Sequence, residues 1–170
     1  MEKSNSIVIM GVAGCGKSSL GVVLARGLGM PIIEGDDFHS DSSREKMRSG
    51  IALNDSDREG WLELLSKELQ KNPDGVVLTC SALKKAYRQR LRAAAPGLRF
   101  VFLDIGPEQA KVRVSSRAQT HFFASSLIQS QFETLESPIH EAGVLAVDAL
   151  MPLILLQGQV IEWLQIKEKI

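Results

Sequence analysis

Short apolar runs, rich in β-branched residues, recur at Ile7–Met10, Pro31–Ile33, Val76–Thr79, Leu98–Leu103 and Gly143–Val147. Between them apolar positions return at helical spacing, which predicts helices over 17–28, 42–49, 57–71, 84–94, 107–117, 124–134 and 152–167. Asp57 precedes the segment carrying Trp61, Leu62, Leu64, Leu65 and Leu69 and reads as its start signal, and Pro107 and Pro152 suit first-turn positions. Strands that are apolar throughout, alternating with amphipathic helices, predict an α/β fold: a five-stranded, mainly parallel sheet covered on both faces.

Length adds that one domain is expected. The 170 residues are enough for one proper core and too few for two domains of ordinary size, and no repeat, low-complexity tract or linker divides them. Twenty basic residues balance twenty acidic ones, so the total charge makes no case for nucleic acid or a membrane surface as partner. The longest apolar stretch, Val144–Leu156, is interrupted by Asp148 and Pro152 and falls short of the ~20 residues a span requires. Cys15 and Cys80 sit in no metal-type spacing, and no secretory signal precedes the first apolar run. A cytoplasmic protein with both thiols reduced is the expectation.

The stretch GVAGCGKS, Gly11 to Ser18, gives the pattern its chemistry. It satisfies G-x-x-x-x-G-K-[ST] between a predicted strand and a predicted helix, the context the phosphate-binding loop requires. Glycines let the backbone of Gly11, Val12, Ala13, Gly14, Cys15 and Gly16 curl with N–H groups inward, and the helix that follows, carrying Ser19, adds its positive end. Lys17 should reach the β- and γ-phosphates of a nucleotide, and the Ser18 hydroxyl should ligate Mg²⁺. The second strand runs into Glu34, Asp36, Asp37 and His39, at the edge where open α/β sheets put their ligands. One carboxylate there can hold Mg²⁺ through water and another can take a proton from an acceptor hydroxyl.

Taken together, GVAGCGKSS, GDDFH, KMRSGIALNDSDREGWL, CSALKKAYRQRLR, HFF and QSQFETLESP, in this order and spacing, resemble the gluconokinases of the small, thermoresistant-type P-loop sugar-acid kinase family. The likeness runs from about Ile7 to Val147, and CSALKKAYR and QFETLE are its most specific parts. It implies a nucleoside-monophosphate-kinase-like P-loop fold with a lid over about 117–126, the use of ATP and Mg²⁺, and a homodimer. It also implies phosphorylation of D-gluconate at its 6-hydroxyl to give 6-phospho-D-gluconate and ADP.

Gluconate is a carboxylate on a polyol, so its pocket needs a cationic clamp and several hydroxyl partners. Arg58, Lys84, Arg88 and Arg92 are the clamp candidates, Arg58 first, with His39, Asn54 and Asp55 for hydroxyls. The resemblance makes Asp36 the base, since it takes the last acidic position of the family's strand-end pattern. It places Arg117 and His121 at the lid, and Arg113 against the nucleotide. Asp104 and Asp148, after apolar strands, imitate metal-holding aspartates and rank below Asp36.

Four positions depart from the family pattern: Glu34 stands for aspartate, Ser40 for proline, Ser43 for asparagine and Thr120 for glycine. They read as tuning. Two rival readings follow from the same residues: a kinase for another sugar acid or a shikimate-like acceptor, and a nucleotide-binding module without turnover.

Overall fold

The computed structural model describes residues 3–117 and 126–168. Five strands, β1 (Ile7–Met10), β2 (Ile32–Glu34), β3 (Val77–Thr79), β4 (Arg99–Asp104) and β5 (Val144–Asp148), form one sheet in the order β2-β3-β1-β4-β5. Every pairing is parallel, with Val8 opposite Leu78 on one side and Phe100 on the other. Among the described residues the α-helices are α1 (Lys17–Leu28), α2 (Asp41–Arg48), α3 (Asp55–Lys71), α4 (Lys85–Ala94), α5 (Pro107–Ser116), α6 (Ser126–Thr134) and α7 (Leu153–Glu168). A short 3-10 helix, Gly35–Phe38, follows β2 directly.

The pleat sorts the core into two layers. Ile7 and Ile9 pack with Leu20 and Leu24 of α1 and with Leu156 and Val160 of α7. Val8 and Met10, pointing the other way, pack with Trp61 and Leu65 of α3 and Leu91 of α4. A parallel strand buried on both faces has no room for polar alternation, which is why β1 is apolar at every position.

Local signals fix the helix ends. Gly29 closes α1 in the left-handed conformation, its N–H returning to Ala25 and Arg26. Ser40 caps α2 by accepting from Ser43 N–H at 3.1 Å and so serves as a helix start. The start of α3 lies earlier than Asp57. Asn54 is the cap, Asp57 is the third helical residue, and the two side chains and backbones bond reciprocally in a capping box.

Candidate active site

All the chemistry-bearing turns leave the carboxyl edge of the sheet. The loop after β1 turns tightly at Gly11, where φ is +145° and a Cβ would lie 2.7 Å from Cys15 Sγ, so no side chain fits. Lys17 Nζ donates to Gly11 O at 3.0 Å and Val12 O at 3.1 Å. With a longer contact to Cys15 Sγ at 3.9 Å, these bonds fold the ammonium back onto the phosphate loop itself. Gly11 N–H in turn donates to Ser81 O, tying the loop to the turn after β3.

Ser18 Oγ donates to Glu34 Oε2 at 3.0 Å, and Thr79 Oγ1 donates to the same oxygen at 2.6 Å. These hard oxygens, a hydroxyl and a carboxylate held together, are the donor set that Mg²⁺ prefers, so the residues fit that ion. Gly35 lies so close to β3 that a Cβ would meet Thr79 O at 2.2 Å; the residue after Glu34 must be glycine for the two strand ends to approach.

Asp36 opens outward from the 3-10 helix with its side chain 82% exposed, 3.8 Å from His39 Nε2. His39 is buried and stacks on Trp61 with ring centroids 4.4 Å apart, while Trp61 Nε1 donates to Gly35 O. Trp61, which its spacing marks as a core residue, therefore also builds the site wall. Burial lowers the His39 pKa below its ordinary 6.5, Asp36 opposes the shift, and Arg58 and Arg44 add to it. His39 Nδ1 has no hydrogen-bond partner among the described residues.

Arg58 is buried, and its only side-chain hydrogen bond among the described residues runs from Nη1 to Tyr87 OH at 3.3 Å. No carboxylate pairs with it there, so most of the guanidinium fork is available to an incoming one. Tyr87 OH makes a very short hydrogen bond to Asp55, which also accepts from Lys84 Nζ at 2.8 Å. The Lys84 and Tyr87 hydrogen bonds hold the Asp55 carboxyl below its usual range, and Asp55 raises Lys84. Arg58, Lys84, Tyr87 and Asp55 thus form one cluster from α3 and the start of α4.

Two clamp candidates, Arg88 and Arg92, turn to protein acceptors instead. Arg88 is wholly buried and all five of its N–H groups have protein acceptors: Ala82 O, Leu83 O, Glu136 O and the Glu141 carboxylate. It has no donor left for a sugar acid and instead holds the turn after β3, where Ala82 carries a left-handed φ of 45°. Asn54 Oδ1 accepts on the α3 cap while its carboxamide N–H groups stay exposed, and the neighbouring Asp55 accepts from Lys84. Arg92 joins Glu141 as well, at 2.8 Å.

Arg113 Nη1 lies 3.4 Å from Gly14 O and 3.3 Å from Cys15 O, and Nη2 donates to Ala149 O at 2.9 Å. It ties the phosphate loop to the turn after β5. Beside that turn a cleft of about 410 Å³ opens at the ends of β4 and β5, lined by Asp104, Ile105, Gly106, Val147, Asp148 and Leu150. Asp148 bonds its own turn, Oδ1 accepting from Leu150 N–H. Ser19 is exposed in the first turn of α1, and Arg117 ends α5. His121 and Thr120 lie outside the described residues.

Sequence spacing missed Gln131. From α6 its Oε1 accepts Ala13 N–H at 2.7 Å, across 118 residues of chain. The QFETLE segment around it was a usable signal, but nothing local says that a helical glutamine reaches a loop so far away.

A P-loop after the central strand, an acid turn after β2 at the same sheet edge and a parallel sheet of this order define a P-loop kinase of the nucleoside-monophosphate-kinase type. The fold agrees: shikimate kinase from Aquifex aeolicus superimposes with a TM-score of 0.61 at 18% identity over 96% of this chain and 98% of that one. A family profile described as shikimate kinase matches residues 13–141. Closer likenesses narrow the class. A gluconokinase of Arabidopsis thaliana is 42% identical over 146 residues, 77% of each protein. The crystal structure of a gluconokinase from Sinorhizobium meliloti 1021 superimposes with a TM-score of 0.87 at 43% identity, over 97% of this chain and 94% of that one. The chain belongs to the gluconokinase family of P-loop kinases.

Proposed function

We propose that the protein transfers the γ-phosphoryl group of ATP to the 6-hydroxyl of D-gluconate, giving 6-phospho-D-gluconate and ADP. Arg58, buried beside an exposed acid turn and with no carboxylate partner among the described residues, is the observation that carries the acceptor assignment. A guanidinium fork kept unneutralised reads a carboxylate, and the Asp55, Lys84 and Tyr87 groups around it suit the hydroxyls of a polyol. His39 Nδ1 adds a buried polar atom facing the same wall.

With the acid end of the sugar on Arg58, the far hydroxyl is brought to Asp36. Asp36 orients that oxygen and accepts its proton as the oxygen bonds to the γ-phosphorus and the bond from phosphorus to the β–γ bridging oxygen breaks. Lys17 holds the phosphate charge from one side, and Arg117 is assigned to the other. Mg²⁺, when bound at Ser18 with Glu34 behind it, supplies positive charge to the β- and γ-phosphates. The cleft beside Ala149 suits the nucleoside end, because Arg113 bridges that turn and the loop.

The family likeness further supports a cytoplasmic homodimer. The exposed Leu153, Ile154 and Leu155 at the start of α7 give an apolar surface for a second copy. No helix among the described residues is long and apolar enough to cross a membrane.

The test is ADP formation with MgATP and D-gluconate, other aldonates, shikimate or no acceptor. Stimulation by gluconate above the others, with the product phosphorylated at position 6, is the expected result. No ADP formation with any of the acceptors would favour a nucleotide-binding module, and stimulation by another acceptor above gluconate would favour the other kinase reading.

A further inference from the structure

The Val12–Ala13 peptide is gripped at both ends. Its oxygen accepts from Lys17 Nζ at 3.1 Å and its N–H donates to Gln131 Oε1 at 2.7 Å. The two atoms of a trans peptide point in opposite directions, so the two grips oppose one another and fix the plane between them. Ala13 N can only donate, so the carboxamide must present its oxygen to it.

We propose that Gln131 is a positioning residue for nucleotide binding: by holding Ala13 N–H it keeps Val12 O turned toward Lys17, and so keeps the Lys17 ammonium at the phosphate site. Without Gln131 the half-buried Ala13 N–H loses its acceptor, and a rotation of the peptide that restores one in solvent carries Val12 O off Lys17. The lysine then keeps only Gly11 O and the longer contact to Cys15 Sγ among the described residues. The end of α6 is anchored independently, since Glu136 N–H donates to Leu83 O at 2.8 Å and Glu136 O accepts from Arg88. Gln131 therefore acts from a helix whose own placement does not depend on it. The proposal rests on the kinase reading above only in taking a nucleotide as the ligand of the loop.

The experiment is a double-mutant cycle on MgADP affinity, measured by calorimetry on the full chain: wild type, Gln131→Met, Lys17→Met and the pair. Methionine preserves length and volume at both sites. Loss of one charge-adjacent hydrogen bond predicts a Kd about tenfold higher for Q131M in the wild-type background. In the Lys17→Met background the same change should move Kd less than about threefold, because Gln131 works through Lys17. A Q131M affinity equal to wild type, or an equal loss in both backgrounds, overturns the proposal. A wild type that binds no MgADP refutes the nucleotide reading instead. Should Q131M not fold, amide exchange at Ala13 in the wild type decides: slow exchange supports the grip, and exchange at the free-peptide rate overturns it.

Discussion

Ser18 and Glu34 share a hydrogen bond of 3.0 Å, and the carboxylate oxygen that receives it is also the one that takes the Thr79 hydroxyl. The Glu34 carboxylate thereby bridges α1 and β3 beside the phosphate loop. Glu34→Ala is expected to raise the Mg²⁺ concentration for half-maximal rate by about 10- to 100-fold, the usual cost of losing an outer-shell partner. Glu34→Asp should lose less. A magnesium titration of the rate checks this, and an unchanged midpoint in Glu34→Ala would restrict Glu34 to holding Thr79.

Arg58 sits buried with Tyr87 as its hydrogen-bond partner. Arg58→Met should raise the KM for gluconate about 10- to 100-fold while leaving the KM for ATP within about twofold, since the lost contact is a charge-assisted fork to the acceptor. Arg58→Lys should recover only part, because an ammonium cannot reproduce two parallel bonds. Steady-state kinetics with each substrate varied in turn separates this from a general loss of activity.

Arg88 and Glu141 should matter to stability rather than to substrate affinity. Their side chains are 0% and 12% exposed, so Arg88→Met leaves a buried carboxylate short of donors and is expected to cost about 3–5 kcal/mol, read as a lowered Tm. Burial pushes the Glu141 pKa up, but hydrogen bonds from Arg88 and Arg92 outweigh it and leave the carboxyl below its ordinary 4.5. Its stabilisation is complete above that value and is lost as pH falls through the lower folded value. Glu141→Gln should therefore flatten the acid limb of the stability curve.

His39 titrates in the opposite sense to a salt-bridged histidine. Burial keeps it neutral in the fold to a lower pH than its ordinary 6.5, so below that value the unfolded chain binds the extra proton and stability falls. Denaturant unfolding between about pH 7 and about pH 5 should show wild-type stability declining more steeply than that of His39→Gln. Parallel curves would mean that another group carries the slope.

The elements were legible where one signal dominated. Ile7–Met10 and the helix from Lys17 to Leu28 match the pattern of apolar positions residue for residue, because a two-sided strand and a glycine-closed helix leave no alternative. The 3-10 helix after β2 was not visible, since its four residues carry no periodicity and are held by the approach of Gly35 to Thr79. Asp57 looked like a cap because acids favour both the cap and the third position, and only the reciprocal bonds with Asn54 tell them apart. At the site, local motifs identified the loop and the acid turn. Arg88 read as a clamp candidate because a sugar acid needs a cation, whereas two of its acceptors, Glu136 O and Glu141, lie about fifty residues downstream.

The position of β1 in the sheet has one more consequence. The side chains assigned to the acceptor come from a single uninterrupted length of chain between β2 and α4, on one flank of β1. The phosphate loop, Arg113 and the Ala149 turn belong to β1 and the opposite flank. The acceptor half is therefore a cassette that can be rewritten in one block so long as Thr79 and Ser81, which hold Glu34 and the Gly11 N–H, are kept. A chimera that exchanges only this block would carry a new acceptor preference on the same ATP-driven engine.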